Sequence, residues 1–221
     1  MAPLQVLTLA ELAATGDERA VAQLTKRPPK ERTAEESVAL DRGKIAKHLR
    51  SLAEMQVQFT NKPELLSDPE WLNTLRAFIT YDRTSDQALL VTARLPGESG
   101  PDLLYRIWKE PGVRPSTAEL ARQLLHARDV RTKASKALGV AIDLDALTDP
   151  GDPAQCDRVS EVLEKAVEVG DRRSLGMLGA LKRRGGCGPK HLDDCFPCLR
   201  KGSLIADATR AVRSRPAPKT Y

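Results

Sequence analysis

Four residues able to ligate a metal fall within a twelve-residue stretch. Cys187, His191, Cys195 and Cys198 lie in CGPKHLDDCFPC, with the spacing C-x3-H-x3-C-x2-C. Zinc takes four sulfur or imidazole ligands in a tetrahedron, and C-x2-C is a frequent zinc turn. Gly185, Gly186 and Gly188 permit the tight backbone such a site requires. The set is more compact than the paired knuckles of most zinc modules. A disulfide is the equal alternative, with Cys187 joined to Cys195 or Cys198. Cys195-Phe196-Pro197-Cys198 also has the form of a redox pair at a helix start, but the βαβ context of a thioredoxin-like site is missing. Free, partly buried thiols are the remaining state, since Cys packs as a small apolar residue. Cys156 stands apart near a helix start and reads as a buried thiol, or as a partner for Cys187 in space.

The same end of the chain is basic. The whole sequence carries 35 Lys and Arg against 30 Asp and Glu, a net charge of +5. From Lys182 to Tyr221 there are ten basic residues and three acids, which leaves the remainder slightly acidic. Lys182, Arg183, Arg184, Arg200, Lys201, Arg210 and Arg213 are the candidate partner-binding residues. Such a run is most often a solvated surface. It also suits helix C-termini, or docking to an acidic partner or nucleic acid.

No residues are assigned to catalysis. Ser–His–Asp order, a nucleophile elbow and HExxH are all absent. GESG and RRGGCG are glycine-containing loops without a P-loop Lys-Ser/Thr or a dinucleotide fingerprint. His48 and His126 sit on helices beside basic residues, as solvated or cap-adjacent histidines do. Asp143, Asp145, Asp149 and Asp152 lack the calcium-loop pattern, and capping and solvation account for them. Trp71, Tyr105 and Trp108 read as packing residues. One structural zinc is therefore the single cofactor the sequence suggests.

The elements that must position these residues are helical. In 221 residues, hydrophobic types make up 41% and aromatics only 4%, so the core is Leu, Ala and Val, which suits close-packed helices. The sequence has no apolar run of transmembrane length and no basic n-region ahead of an apolar stretch. Four cysteines are too few for a disulfide scaffold. The expectation is a cytoplasmic protein away from the membrane.

Capping boxes mark helix starts at Thr8–Glu11, Thr33–Glu36 and Ser116–Glu119. Asp68-Pro69 reads as N-cap followed by N1. One long helix, with Ile45, Leu49, Leu52, Met55 and Phe59 on a face, runs to about Val57, and Gly43 is a candidate kink. Trp71, Leu72, Leu75, Phe78 and Ile79 give another helix. Leu89-Leu90-Val91 reads as helix by context. Arg94–Pro101 is a loop, followed by Leu103, Leu104, Ile107 and Trp108 at helical spacing. Asp129 opens a helix lined by Val130, Ala134, Leu138 and Ala141, and Asp152-Pro153 open the one bearing Val159, Leu163 and Val167.

Two segments repeat. Leu9–Arg27 (LAELAATGDERAVAQLTKR) and Leu163–Arg184 (LEKAVEVGDRRSLGMLGALKRR) align on Gly16-Asp17 and Gly170-Asp171, with Arg19 on Arg173 and Leu24 on Leu178. Each reads as helix, Gly-Asp corner, helix: Gly16 stops the first helix and Asp17 caps the second. A hairpin of this kind buries its apolar face only against a neighbour. The expected fold is all-α, either stacked hairpins in a solenoid or an irregular multi-helix array. It forms one domain over 1–213, with N-terminal hairpins in 1–60, middle helices in 61–148, and the last hairpin, cysteine loop and final helix in 149–213. A disordered tail of 214–221 follows.

The two LxxxxxxGDxRxxxxL hairpins resemble HEAT-like repeats of the phycobilin-lyase type. That resemblance implies a solenoid whose concave face binds another macromolecule, and it implies no reaction. The segment from Asp102 to Leu144 is also similar to helical proteins of bacteria, from which no function carries over. The function expected is a non-enzymatic protein-interaction or scaffold module. The alternative is a nucleic-acid-binding protein that uses the basic end, with or without zinc.

Overall fold

The computed structural model describes residues 7–147, 155–186, 190 and 192–216. Among them the secondary structure is helical throughout, with no strand. In chain order the α-helices are α1 (Leu9–Ala14), α2 (Glu18–Lys26), α3 (Ala34–Asn61), α4 (Pro69–Thr80), α5 (Ser85–Arg94), α6 (Ser99–Lys109), α7 (Pro115–His126), α8 (Arg128–Arg131), α9 (Lys136–Ala146), α10 (Gln155–Val169), α11 (Leu175–Leu181) and α12 (Leu204–Ser214). The chain divides into two compact units. Residues 1–96 and 107–120 form the first, and residues 97–106 and 121–221 the second.

In the first unit, local chemistry sets the helix ends. Thr8 and Glu11 form a complete capping box, and so do Thr33 and Glu36. Gly16 takes φ of 80° after α1, and the Asp17 side chain accepts the Ala20 N–H to start α2. Asp68 caps α4 with Pro69 at its first position. The 28-residue α3 packs against α1, α2, α4 and α5. It runs unbroken through Gly43, where a kink is a sequence expectation. A Cβ at Gly43 would stand 2.1 Å from the Ala13 carbonyl oxygen, so the glycine lets two helices approach closely. Leu40, Leu52, Phe59, Leu75, Ile79 and Leu89 are fully buried in this unit.

In the second unit, α10 packs against α9 and α12, and α11 packs against α9 and α12. Three boundaries differ from the sequence expectation. The loop after α5 is shorter, because α6 already begins at Ser99 and takes Gly100 and Pro101 into its first turn. The capping residue expected at Ser116 lies inside α7, because the helix begins at Pro115, whose fixed φ suits the first position. The single helix expected from Asp129 is two, α8 and α9. Ser135 restarts the chain by accepting the Leu138 N–H at 3.2 Å. The expected opening at Asp152-Pro153 lies outside the described residues, as do Asp149 and residues 217–221.

The two Gly-Asp corners share a further device. In the first, the Arg50 guanidinium on α3 donates to the carbonyls of Thr15 and Gly16 at the end of α1. In the second, Arg215 donates to Ala166, Val167, Glu168 and Gly170 at the end of α10. Each places a cation and several donors where a helix leaves its last carbonyls unpaired. Arg215, which the sequence assigns to a tail, is thus held against α10. The corners differ in backbone. Gly16 is left-handed, whereas Gly170 has ordinary φ and a Cβ there would crowd the Ala166 carbonyl at 2.8 Å.

Candidate interaction site at the cysteine turn

The turn between α11 and α12 is built around one arginine. Arg200 donates to both carboxylate oxygens of Asp194, to the Leu181 carbonyl at 3.1 Å and to the Arg183 carbonyl at 2.6 Å. Asp194 also accepts the Phe196 N–H at 2.9 Å. The Arg200 hydrogen bonds hold the Asp194 carboxyl below its ordinary range, aided by the backbone bond from Phe196. Phe196 is buried, and Pro197 opens the short 3₁₀ turn Pro197–Arg200. Arg200, a candidate docking cation in the sequence, is therefore engaged within the turn by four hydrogen bonds.

Cys198, in that turn, is bonded to Cys156 in the first turn of α10, with Cα atoms 6.1 Å apart. Cys195 is disulfide-bonded as well. The sequence reading offers zinc, free thiols, or a disulfide from Cys187 to Cys195 or Cys198, and leaves Cys156 as a buried thiol or a partner of Cys187. The correction is that Cys156 and Cys198, distant in sequence, meet across the unit. Cys187 and His191 lie outside the described residues. A sulfur committed to a disulfide offers no thiolate, so the oxidised chain has neither Cys195 nor Cys198 to give to zinc.

This scaffold carries exposed cations. Lys182, Arg183 and Arg184 follow α11, and Lys201 follows the 3₁₀ turn; all are exposed. The Arg200 bridge brings these two groups into one neighbourhood. Lys190 is also exposed, and Leu192 is 76% exposed. Neither residue stands out in the sequence. Arg210 and Arg213 stand on the exposed face of α12, where Arg210 pairs with Asp207 at 3.3 Å. The structure does not join these two to the turn by any hydrogen bond or ion pair among the described residues.

A second cluster in the same unit is buried. Arg173 follows the second Gly-Asp corner, and its side chain is 10% exposed. It binds both Asp171 oxygens and one oxygen of Asp102, and donates to Ser135 Oγ at 3.2 Å. The Tyr105 hydroxyl donates to the Arg173 carbonyl at 2.9 Å. Desolvation raises the Asp102 carboxyl against the pull of Arg173, and burial pushes the Tyr105 phenol up to about 12. Desolvation opposes the charge on Arg173, but hydrogen bonds and attraction from Asp171 and Asp102 outweigh it and raise its pKa. The cluster ties the start of α6, the cap of α9 and the second corner together. All its strong donors and acceptors face one another, so it reads as a structural clamp.

The remaining titratable candidates are also absorbed by packing. His48 lies edge-on to Phe78 and Tyr81, with centroids 5.6 and 5.1 Å away. Asp143 pairs with Arg131, and Asp145 accepts from Arg122 at 3.1 Å beside His126. These two aspartates thus form ion pairs where the sequence suggests capping and solvation. Trp71 packs on Phe59 with centroids 5.8 Å apart.

No helix among the described residues is long and apolar enough to cross a membrane. No family model matches the chain, and neither a curated protein nor a solved structure matches it.

Proposed function

We propose that the chain is a non-enzymatic helical-repeat interaction module that docks an acidic partner protein through the cysteine turn. The observation that carries this reading is the set of exposed cations Lys182, Arg183, Arg184 and Lys201, which Arg200 gathers at one turn, with Lys190 and Leu192 exposed in the intervening segment. Disulfides and the Arg200–Asp194 pair fix the turn beneath them, so docking orders few additional side chains and loses little entropy. Exposed apolar and cationic side chains in one segment suit a protein-binding surface, and the cations select an acidic counterpart. The repeat reading rests on the shared plan of α1–α2–α3 and α10–α11–α12, each closed by an arginine on its Gly-Asp corner.

Disulfides persist in oxidising compartments, so this reading favours such a compartment over the reducing cytoplasm of the sequence expectation. In a reducing cytoplasm the same cysteines would be thiols. Zinc at Cys187, His191, Cys195 and Cys198 belongs to that reduced form alone.

The test is fluorescence anisotropy with a labelled Glu/Leu peptide and with labelled single- and double-stranded DNA, at low and at moderate salt. Saturable binding of the peptide, lost in Arg183→Glu/Arg184→Glu/Lys201→Glu, is the expected result. Binding of DNA but not peptide, with a steep salt dependence, would replace this reading with nucleic-acid recognition. Binding of neither at low salt would end both.

A further inference from the structure

The first unit carries an open groove of about 390 Å³ between α1 and the first half of α3. Its walls are small: Ala10 and Ala14 come from α1, and Ala34 and Ala39 from α3. Glu35, Val38 and Arg42 complete the lining, at spacings of three and four that place them on one face of α3. All three are exposed, Val38 to 52%. We propose that this groove docks a second copy of the chain, with the two α3 helices antiparallel about a two-fold axis beside Val38.

The order of the three side chains makes the groove complementary to itself. A two-fold contact uses the same patch on both copies. About an axis between Val38 and Ala39, position 35 faces position 42, and position 38 faces position 39. Glu35 of one copy therefore meets Arg42 of the other, twice, and Val38 of each copy enters the alanine-walled groove of the other. Small walls let a second helix approach closely. Glu35 and Arg42 stand about 10 Å apart along the helix. Among the described residues, neither side chain forms an ion pair or hydrogen bond within the chain. The neighbouring acids are committed: Glu36 pairs with Arg27 at 2.6 Å, and Glu11 closes its capping box with Thr8. A partner carrying one sign of charge would meet like charge at one end of the groove, whereas a reversed copy meets opposite charge at both. The contact is short, so it belongs with the small interfaces below about 1,200 Å² in total, and a dissociation constant of about 0.1 mM is expected.

The experiment is sedimentation equilibrium of the full chain, from about 10 μM to about 1 mM, a range that brackets that constant. The weight-average mass should rise from 24.2 kDa toward twice that value. Glu35→Arg and Arg42→Glu each set like charges opposite one another at both ends of the contact, and each should weaken association at least about tenfold. An equimolar mixture of the two variants should associate as the native chain does. In the mixed pair, the arginine installed at position 35 faces the glutamate installed at position 42, and the native Arg42 faces the native Glu35. Both positions are exposed, so neither variant removes a core contact, and circular dichroism checks that each keeps its helices. A native chain that stays at 24.2 kDa throughout would overturn the proposal. Single variants that associate like the native chain would overturn it too, because another surface would then carry the contact. A mixture that fails to recover would do the same, because Glu35 and Arg42 would not face each other.

Discussion

Removing the Cys156–Cys198 bond should destabilise the second unit selectively. The two cysteines are 42 residues apart. For a closed loop of that length the chain-entropy relation gives a stabilisation of about 4 kcal/mol. Residual structure in the unfolded chain lowers the figure, so it is an upper value. For a chain of this size each kcal/mol moves Tm by about 2–4 °C, so the double variant Cys156→Ser/Cys198→Ser should melt roughly 8–16 °C lower. Serine at both positions avoids a lone thiol that could attack the disulfide at Cys195. Scanning calorimetry gives the shift, and hydrogen exchange gives its place. Protection should fall along the start of α10 and the turn at residues 194–200, and should hold in α3 and α4. Peptide mapping without reductant checks the pairing itself. A loss under about 1 kcal/mol, a value typical of an ordinary single substitution, would refute the reasoning. A mapped pairing other than Cys156 with Cys198 would refute it directly.

Three other outcomes are expected. Arg173→Met leaves Asp102 and Asp171 buried without their cation and should cost about 3–5 kcal/mol, read as a urea-midpoint shift; Arg173→Lys should recover only part of it, because lysine lacks the fork that spans three partners. Gly43→Ala forces a Cβ onto the Ala13 carbonyl and should cost about 1–3 kcal/mol or more, whereas Gly139→Ala, with open space in α9, should stabilise by about 0.5–1 kcal/mol, both checked by thermal melts. Burial lowers the His126 pKa, with Asp145 opposing, so the folded chain binds its proton less readily than the unfolded chain. That contribution is full above the unfolded value of about 6.5 and is lost as pH falls below it; His126→Gln should flatten urea stability measured between about pH 5 and pH 7.

The features legible in the sequence are those whose partners lie within one turn of chain. Thr8 with Glu11, Thr33 with Glu36, and Asp68 before Pro69 are read correctly because capping is a local act. Gly43 is misread as a kink because its meaning depends on Ala13, on another helix. Arg19 and Arg173 occupy the same place in the repeat, yet Arg19 is exposed and Arg173 is buried. Asp102 and Ser135 account for the difference, and both come from elements outside the repeat. The cation run at Lys182–Arg184 is visible as composition, but the use of Arg200 inside the fold is not. Cysteine spacing points to short-range pairing, while the bond to Cys156 follows from how α10 lies beside the turn.

The corner arginines bear on how the chain is made. Each Gly-Asp corner is finished by a residue that is translated well after it: Arg50 lies 34 residues beyond Gly16, and Arg215 lies 45 beyond Gly170. On the ribosome, the end of α10 therefore keeps its last carbonyls in water until Arg215 has emerged. The shortest stretch that contains both a corner and the arginine that closes it is then near 7–61 in one case and 155–216 in the other. A boundary drawn after the second helix of either group would release an open corner.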